Sequence, residues 1–412
     1  MRVLVVGAGG REHALAKKLA QSPALTELFV APGNAGTAEI ATNVPIEAMD
    51  LDGLLAFVRA QRIDLVIPGP EGPLVAGLTD RMAAAGVRCV GPTAAAAQLE
   101  GSKAFTKAVA DEAGIPTARW ERFDDAAAAH AFIRSRGAPI VIKADGLAGG
   151  KGVVVARTTD EAIAAATLAL QDGPVVVEEC LTGPEVSLFA LCNGTDAVLL
   201  GTARDHKRVG DGDTGPNTGG MGAVAPVPGF DGMAALDVFV RPALRVMAGR
   251  GTPFRGILFA GLMLTSGGPR LIEYNVRFGD PECQALLPLL ATDLLTLLLS
   301  ACEAGEGGIG LLTPAWHPGA SCAIVMAARG YPGVLDPDAS AITGLGDHVY
   351  HGATRRQHGR QDGRLVAAGG RVLTVVGTGP DAAAARMQAY ASVAQVVWPG
   401  GFYRSDIGGG HG

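Results

Sequence analysis

The first hundred residues alternate short apolar runs with stretches of helical periodicity, and this alternation limits the fold more than any other feature. Apolar runs at residues 2–6, 28–31 and 65–67 each end at a glycine or a proline, and helical patterns lie between them. Short runs that are apolar throughout are typical of strands buried on both faces of a parallel sheet. The sequence therefore predicts an α/β protein whose amino-terminal domain, residues 1–100, contains a parallel sheet.

Changes of pattern further along the chain predict four more segments. Residues 101–120 form a linker that begins the next domain, and residues 121–190 form a small α/β unit. Residues 191–325 form a larger body, and residues 326–412 form a carboxyl-terminal domain with strands, glycine turns and one helix. This division agrees with the roughly two to four domains expected from the length of the chain.

Three local predictions accompany this division. We expect a strand at residues 185–191 to belong to the small α/β unit, and a helix at residues 283–303. Residues 205–222 are polar and rich in glycine, and they predict a loop. Loops of this length inside compact domains are usually functional or disordered.

Composition excludes several classes of protein. The chain has 412 residues, of which 48% are hydrophobic, so it can fill a sizeable core. A net charge of −6 argues against a nucleic-acid binder, and no segment reaches the roughly 20 apolar residues of a membrane span. Six cysteines without a CxxC pair are typical of a reducing compartment. Because no signal-peptide pattern begins the chain, we expect a cytoplasmic location and no membrane partner.

A glycine-rich turn follows the first apolar run and places Gly9 and Gly10 where a helix begins. Free backbone amides at a helix N-terminus bind anions, and glycine lets a phosphate approach closely. The dinucleotide-binding fingerprint is incomplete, because Glu12 occupies the position of its third glycine. His13 is either a structural residue or a substrate contact. Glu71, in a turn rich in proline and glycine, either bonds sugar hydroxyls or stays solvated.

A lysine beside a glycine-rich stretch predicts a phosphate-binding flap. The chain has seven lysines against 27 arginines, and Lys143 ends an apolar run just before a segment that contains Gly149, Gly150 and Lys151. No helix and no GK[ST] sequence follows, so the segment is not a P-loop. A hairpin of this kind could close over a triphosphate, with Lys143 as a point charge and backbone amides as donors. A flexible exposed hairpin is the alternative.

Acidic residues at two other positions are candidates for binding groups. Glu178 ends a predicted strand and could pair with an adenine amino group, together with the backbone near Leu181, while Glu185 could hold a ribose. In the 205–222 segment, Asp213 could face an ammonium group. The alternatives are a solvated strand end and a disordered surface loop.

Glu273 and Asn275 stand two residues apart at the end of a predicted strand. Alternate residues of a strand point to the same face, and two oxygen ligands on one face suit Mg²⁺, which takes its other ligands from phosphates and water. Arg277 falls on the same side if the strand continues that far, and it could stabilise phosphoryl or carboxylate charge. A charged strand edge is the alternative.

Taken together, these segments resemble the phosphoribosylamine–glycine ligase family of the ATP-grasp superfamily. The resemblance spans almost the whole chain and is most specific in residues 215–222 and 277–284; it includes the Gly-Gly-Arg-Val-Leu run at residues 369–373 and residues 403–408. It implies an amino-terminal pre-ATP-grasp domain, an ATP-grasp body with a small lid formed by residues 121–190, and a carboxyl-terminal domain. It also implies ATP-dependent joining of glycine to 5-phosphoribosylamine through glycyl phosphate, with Mg²⁺ or Mn²⁺, in a monomer.

The resemblance further implies roles for individual residues. For ATP these residues are Lys103, Lys143, Gly149, Gly150, Lys151, Glu178, Leu181 and Glu185. For the two other substrates they are Gly9, Gly10, Arg11, Glu12, Glu71, Asp213, Pro216, Asn217, Thr218, Gly219 and Arg277. The metal ligands are Glu273 and Asn275, and the catalytic residues are Arg277, Lys143 and Asp213. Cys180 and Pro184 depart from the family pattern, which has an aromatic residue and an acid there.

Three other functions compete with this interpretation. The first is an ATP-grasp ligase that uses a different amine acceptor, and the second is a nucleotide-binding regulator with a degenerate site. The third is a dinucleotide-dependent oxidoreductase, suggested by the amino-terminal glycines alone. This third function explains neither the lysine-containing flap nor the Glu273 and Asn275 pair.

Overall fold

The computed structural model describes residues 1–147, 152–302, 313–336, 340–357 and 363–409. The chain begins with a five-stranded parallel sheet in the order β3-β2-β1-β4-β5. Its strands are β1 (Arg2–Gly7), β2 (Glu27–Pro32), β3 (Thr42–Asn43), β4 (Leu65–Pro68) and β5 (Arg88–Cys89). Its helices are α1 (Gly10–Leu19), α2 (Leu51–Gln61), α3 (Glu71–Val75) and α4 (Leu78–Ala84). The central strand β1 is buried on both faces, which confirms the prediction of a parallel α/β domain.

Two helices lead from this domain into a small sheet that forms the lid. The helices are α5 (Gln98–Gly101) and α6 (Lys103–Glu112). The lid sheet has the order β6-β9-β7-β8 and is antiparallel where its strands pair. Its strands and helices are β6 (Trp120–Phe123), α7 (Ala126–Arg136), β7 (Ile140–Ala144), β8 (Val153–Ala156), α8 (Thr159–Ala169) and β9 (Val175–Glu179). The lid has a hydrophobic core of its own between the sheet and its two helices.

A nine-stranded sheet forms the body and continues into the carboxyl-terminal domain. Its strand order is β16-β15-β10-β11-β14-β17-β21-β18, and β22 pairs with β17. These strands are β10 (Glu185–Gly194), β11 (Ala197–Asp205), β14 (Gly222–Ala225), β15 (Phe254–Thr265), β16 (Gly268–Asn275), β17 (Ala320–Ala328), β18 (Val349–His351), β21 (Arg371–Gly379) and β22 (Gly401–Phe402). Two hairpins lie outside it, formed by β12 (Arg208–Gly210) with β13 (Thr214–Asn217), and by β19 (Thr354–Arg356) with β20 (Leu365–Ala367).

The remaining helices cover the faces of this large sheet. They are α9 (Gly232–Ala235), a π-helical turn at Leu236–Val240, α10 (Arg241–Gly249), α11 (Glu282–Leu286), a 3₁₀ turn at Leu287–Leu289, α12 (Leu294–Cys302) and α13 (Ala382–Val393). No helix in the described part of the chain is long and apolar enough to span a membrane.

The structure corrects three local predictions. The strand predicted at residues 185–191 is β10, and it belongs to the large sheet because it pairs with β15 along its whole length. The segment 205–222 contains the hairpin β12–β13, whose tip Gly212 and Asp213 turn with positive φ angles. The helix predicted at residues 283–303 is interrupted where Pro288 lacks the backbone N–H that a continuous helix needs. The predicted boundaries at 190/191 and 325/326 fall inside β10 and β17.

Two buried histidines join the amino-terminal and carboxyl-terminal domains. The backbone N–H of His351 donates to Nδ1 of His13 at 2.8 Å, and the two rings pack edge to face with centroids 5.4 Å apart. Burial, helped by the neighbouring His351, lowers the pKa of His13 to about 3, and burial lowers the pKa of His351 to about 4. Of the two roles that the sequence leaves open for His13, a structural role and a substrate contact, the structure supports the structural role.

This histidine pair predicts acid sensitivity. Because both pKa values lie below the ordinary 6.5, the unfolded chain binds more protons than the folded one between about pH 4 and 6.5. Stability is therefore fully present above pH 6.5 and falls as the pH decreases, by about 2 kcal/mol per histidine at pH 5. We expect His13→Asn to reduce the drop in thermal midpoint between pH 7 and pH 5. The same substitution at His130, which bonds Thr167 on the lid surface, is the control and should leave that drop unchanged.

Candidate active site

A cavity of about 380 Å³ lies where the amino-terminal domain, the lid, the body and the carboxyl-terminal domain meet. We call it the first cavity. The amino-terminal domain contributes Arg11, Pro70 and Glu71 to its wall, and the lid contributes residues on both sides of the flap segment 148–151. The body contributes most of the charged side chains, and the carboxyl-terminal domain contributes Arg371.

Arg277 is the most connected side chain of the first cavity. It follows β16, and its Nη2 donates to Glu100 Oε1 at 2.7 Å and to Asn275 Oδ1 at 3.1 Å. Its Nε donates to Glu71 Oε2 at 3.1 Å. Glu100 is buried at the end of α5, and its second oxygen accepts from the backbone N–H of Val276 at 2.7 Å. The guanidinium, which belongs to the body, is therefore fixed by two carboxylates of the amino-terminal domain.

Glu273 and Asn275 reach the first cavity from the last residues of β16, as their spacing predicts. Lys103, at the start of α6, lies 3.6 Å from Glu273 between Nζ and Oε2. Burial raises the pKa of the Glu273 carboxyl, but the positive charges of Lys103, Lys207 and Lys143 outweigh burial and bring it to about 2. Glu273 is thus an ionised carboxylate throughout the neutral pH range.

A buried charge cluster joins the lid to the body behind the first cavity. Glu178 on β9 lies 3.0 Å from Lys143 on β7 and 3.0 Å from Lys107 on α6. Lys107 also donates to Thr117 Oγ1 at 2.7 Å, and Lys143 donates to the backbone carbonyl of Ile272 at 3.3 Å. Burial lowers the pKa of Lys107 to about 8, against the opposing effect of Glu178. Two ammonium groups therefore share one carboxylate.

A second ion-pair cluster lies on the body side of the first cavity. Lys207 forms a close ion pair with Glu185 and lies 4.0 Å from Asp205. Burial raises the pKa of Asp205 to about 7, and the nearby Glu282 and Glu185 add to this effect. Asp205 is therefore an acid of the first cavity whose pKa is raised by burial in spite of the positive charge of Lys207.

A second cavity of about 480 Å³ lies between the amino-terminal and carboxyl-terminal domains. Gly9 and Gly10 form one wall, next to Asn34, and residues of β19 and β21 form the other. Asp280 and Arg371 line both cavities. The two spaces are therefore neighbours that share a wall of opposite charges.

Most of the residues predicted from the sequence meet in this region. Those that line the first cavity are Arg11, Glu71, Lys103, Thr218, Gly219, Glu273, Asn275 and Arg277. Gly9 and Gly10 line the second cavity. Lys143, Glu178 and Glu185 stand behind the first cavity in the two ion-pair clusters. Gly149, Gly150 and Lys151 lie outside the described residues.

Five further predicted residues line neither cavity and belong to neither of these ion-pair clusters. Glu12 is buried beneath the glycine turn, where its oxygens accept from the Gly9 N–H at 2.6 Å and from Arg11 Nε at 2.7 Å. It caps its own helix, and both of its carboxylate oxygens already accept hydrogen bonds. Asp213, Pro216 and Asn217 are exposed on the β12–β13 hairpin, and Leu181 follows β9.

Asp213 instead helps to fasten its hairpin to the end of the chain. Its Oδ1 accepts from Arg404 Nη1 at 2.7 Å, and Arg404 is buried and also pairs with Asp406. Because an exposed carboxylate adds little to such a pair, we expect Asp213→Asn to change turnover less than about threefold. Steady-state kinetics with glycine as the varied substrate tests this. A loss beyond hundredfold would restore Asp213 to the active site.

Three residues of the site escape prediction from the sequence. Glu100, Lys107 and Arg371 come from separate segments, and only the fold brings them to Arg277, Glu178 and Asp280. Two of them had a signal in the sequence: Lys107 is one of only seven lysines, and Arg371 stands in the glycine-containing run at residues 369–373. Glu100 had none.

The fold defines the class of the protein. A biotin carboxylase from Campylobacter jejuni, solved as a β,γ-ATP complex, superposes with a TM-score of 0.74 at 15% identity, covering 98% of this chain and 92% of that one. At that identity the likeness shows the fold alone. The family model for the phosphoribosylglycinamide synthetase ATP-grasp (A) domain matches residues 101–283. Fold and domain together define an ATP-grasp enzyme.

Further comparisons identify the family. The models for the N and C domains of phosphoribosylglycinamide synthetase match residues 1–100 and 321–410. A phosphoribosylamine–glycine ligase of Rhizobium meliloti (strain 1021) is 51% identical over 425 residues, with 99% of this chain and 98% of that protein covered. The crystal structure of the Thermotoga maritima phosphoribosylamine–glycine ligase is 34% identical, with a TM-score of 0.86 and coverage of 99% of this chain and 100% of that one. The chain belongs to the phosphoribosylglycinamide synthetase family.

Proposed function

We propose that this chain joins the carboxylate of glycine to the amine of 5-phosphoribosylamine with ATP, and releases glycinamide ribonucleotide, ADP and phosphate in purine biosynthesis. Similarity to named ligases over almost the full chain supports this substrate pair. The observation that carries the chemistry is the first cavity, where Lys103, Arg277 and the Glu273 and Asn275 pair face one space. A regulator with a degenerate site would not need to keep this set complete.

ATP is proposed to lie between the lid and the body. Lys103 and Lys143 would contact its phosphates, and Gly149, Gly150 and Lys151 would close over them. Glu178 Oε1 is buried and accepts no hydrogen bond from the described residues, although Lys143 lies 3.0 Å away. A buried acceptor of this kind suits the adenine amino group, with the backbone of Leu181 beside it and Glu185 near the ribose.

Glu273 and Asn275 fit a hard divalent cation. The Glu273 carboxylate is ionised, since its pKa is about 2, and the Asn275 amide supplies a neutral oxygen. Mg²⁺ or Mn²⁺ would complete its coordination with phosphate oxygens and water. When bound, such a cation offsets the negative charge of the phosphates. The two oxygens of this pair, one charged and one neutral, are therefore our candidate metal ligands.

The proposed reaction has two steps. The glycine carboxylate takes the γ-phosphoryl group of ATP, which breaks the bond to ADP and makes an acyl phosphate. The amine of phosphoribosylamine then attacks the acyl carbon; a C–N bond forms, the C–O bond to phosphate breaks, and the amine loses a proton. Arg277 would orient the carboxylate and stabilise the charge that develops on it. The lid would exclude water and so protect the acyl phosphate from hydrolysis.

The test is ADP release with ATP, Mg²⁺, glycine and phosphoribosylamine generated in place, with one component omitted at a time. We expect release to require both glycine and phosphoribosylamine. Release with another amine but not with phosphoribosylamine would favour a ligase with a different acceptor. ATP binding without any release would favour a regulator and would overturn the proposal.

A further inference from the structure

Arg371 occupies the shared wall of the two cavities, although no role follows from its sequence position. It begins β21 in the carboxyl-terminal domain and is the one cationic residue of that domain that lines both the first and the second cavity within the described ranges. Its partner in that wall is Asp280, whose Oδ1 lies 3.4 Å from Arg371 Nη1.

A single nitrogen of Arg371 holds two loops together. Nη1 donates to the backbone carbonyl of Gly219 at 2.7 Å and to that of Asp280 at 2.5 Å, with the carbonyl of Gly220 at 3.4 Å. The first loop ends the 205–222 segment, and the second follows Arg277. Both loops face the first cavity through Thr218, Gly219 and Gly279. The carboxyl-terminal domain thus controls the position of backbone that belongs to the body.

Tyr331, from the same domain, holds the Gly219 loop from the other side, and we call Arg371 and Tyr331 together the clamp. Its hydroxyl accepts from the backbone N–H of Gly219 at 3.1 Å, so both sides of the Gly219 residue are held. The Tyr331 ring packs against Gly370, where a Cβ atom would lie 2.3 Å from the ring. A Cβ atom on Gly219 would lie 3.0 Å from the Arg371 guanidinium. The close packing leaves the clamp little freedom.

Among the residues that the structure describes, Arg371 forms no hydrogen bond or ion pair with the candidate nucleotide-binding side chains of the first cavity. None of its hydrogen bonds involves Lys103, Glu273 or Asn275, and its Nε and Nη2 donate to no described residue. Asp280 links it to the other wall of the second cavity, because the backbone N–H of Arg11 bonds to that carboxyl and Arg371 and Arg11 together lower its pKa. The clamp therefore stands between the two cavities and away from the candidate phosphoryl-transfer groups.

We propose that Arg371 and Tyr331 are positioning residues for the second step, in which an amine in the second cavity reaches an acyl phosphate in the first. The proposal rests on the proposed function. By fixing the Gly219 and Asp280 backbone, the clamp sets the distance and direction of attack on the acyl carbon, and misplacement of about 1 Å can cost about a hundredfold in rate. The first step does not need the clamp, so the two steps separate when it is removed.

The experiment measures ADP release and glycinamide ribonucleotide formation side by side in Arg371→Met. We expect product formation to fall at least about 30-fold while glycine-dependent ADP release falls less than about threefold, because the acyl phosphate is then lost to water. The ratio of ADP to product, which is one when the steps are coupled, should rise about tenfold. Tyr331→Phe, which removes only the hydroxyl, should raise the ratio in the same direction and less.

Arg355→Met is the matched control, because Arg355 is exposed on β19 of the same domain and makes no described contact with either cavity. Its ratio should stay at one. Equal loss of ADP and product in Arg371→Met, or no loss of either, would overturn the proposal. Failure of the unmodified enzyme to need glycine and phosphoribosylamine would instead overturn the proposed function. A thermal midpoint measured for each variant separates loss of fold from loss of coupling.

Discussion

Replacing Lys143 with methionine is expected to lower turnover by at least about 10³-fold and to leave the protein folded. Lys143 is the last described lysine before the flap segment, and its neighbour Ala144 lines the first cavity. Loss of one fixed charge at a developing phosphoryl charge is worth several kcal/mol. Methionine keeps most of the length and apolar contact of the lysine stem.

The fold should tolerate this change because of the way Glu178 is held. Removing the only partner of a buried carboxylate strongly destabilises a fold. Glu178 has a second partner, Lys107 at 3.0 Å, which remains when Lys143 is replaced. The measurement is kcat with saturating substrates, together with the thermal midpoint. Arg157→Met removes a charge from the exposed surface of the same lid and is the control. Near-normal turnover in Lys143→Met would contradict the placement of ATP under the lid.

Those features of the candidate site that depend on residues close together in the sequence could be predicted from local patterns. Glu273 and Asn275 both reach the first cavity from alternate positions of β16, and the glycine turn at Gly9 leads from β1 into a helix. These features depend on a few adjacent residues, so the sequence contains them directly.

Pairings between distant segments could not be predicted in this way. Glu100 and Arg277 are 177 residues apart, and Arg371 meets Gly219 across 152 residues. No periodicity reports such contacts; they follow from the order of strands in the nine-stranded sheet. Glu12 shows the same ambiguity at short range, because an acid at the third position of a helix can cap that helix or bind a substrate, and in this structure it caps the helix.

Asp213 shows that a predicted segment can reach the site while one of its charged residues lies outside both cavities. The glycine-rich segment does reach the first cavity, but it does so through Thr218 and Gly219. Its charged tip turns away to Arg404, a residue near the end of the chain. A charged residue in a loop can therefore fasten the loop to another segment as readily as it can contact a substrate. Only the location of its ion-pair partner in the structure distinguishes the two roles.

The second large effect is expected at Glu273. We expect Glu273→Gln to raise the Mg²⁺ concentration that gives half-maximal rate by about 10- to 100-fold. Glutamine keeps the shape and an oxygen but removes the negative charge, which is ionised in the folded protein at any assay pH well above 2. A high concentration of Mg²⁺ should restore much of the lost rate.

Metal-free ATP binding distinguishes a metal ligand from a residue that only shapes the cavity. Lys103, Lys207 and Lys143 all lower the pKa of Glu273, so its loss leaves these positive charges less compensated. ATP without metal should therefore bind Glu273→Gln as tightly as, or more tightly than, the unmodified enzyme. Glu179→Gln, on the exposed end of β9, should change neither quantity. Weaker metal-free binding of ATP, or an unchanged Mg²⁺ requirement, would contradict a metal-ligating role. Loss of a metal ligand must weaken metal binding, and loss of a negative charge cannot increase the repulsion of ATP.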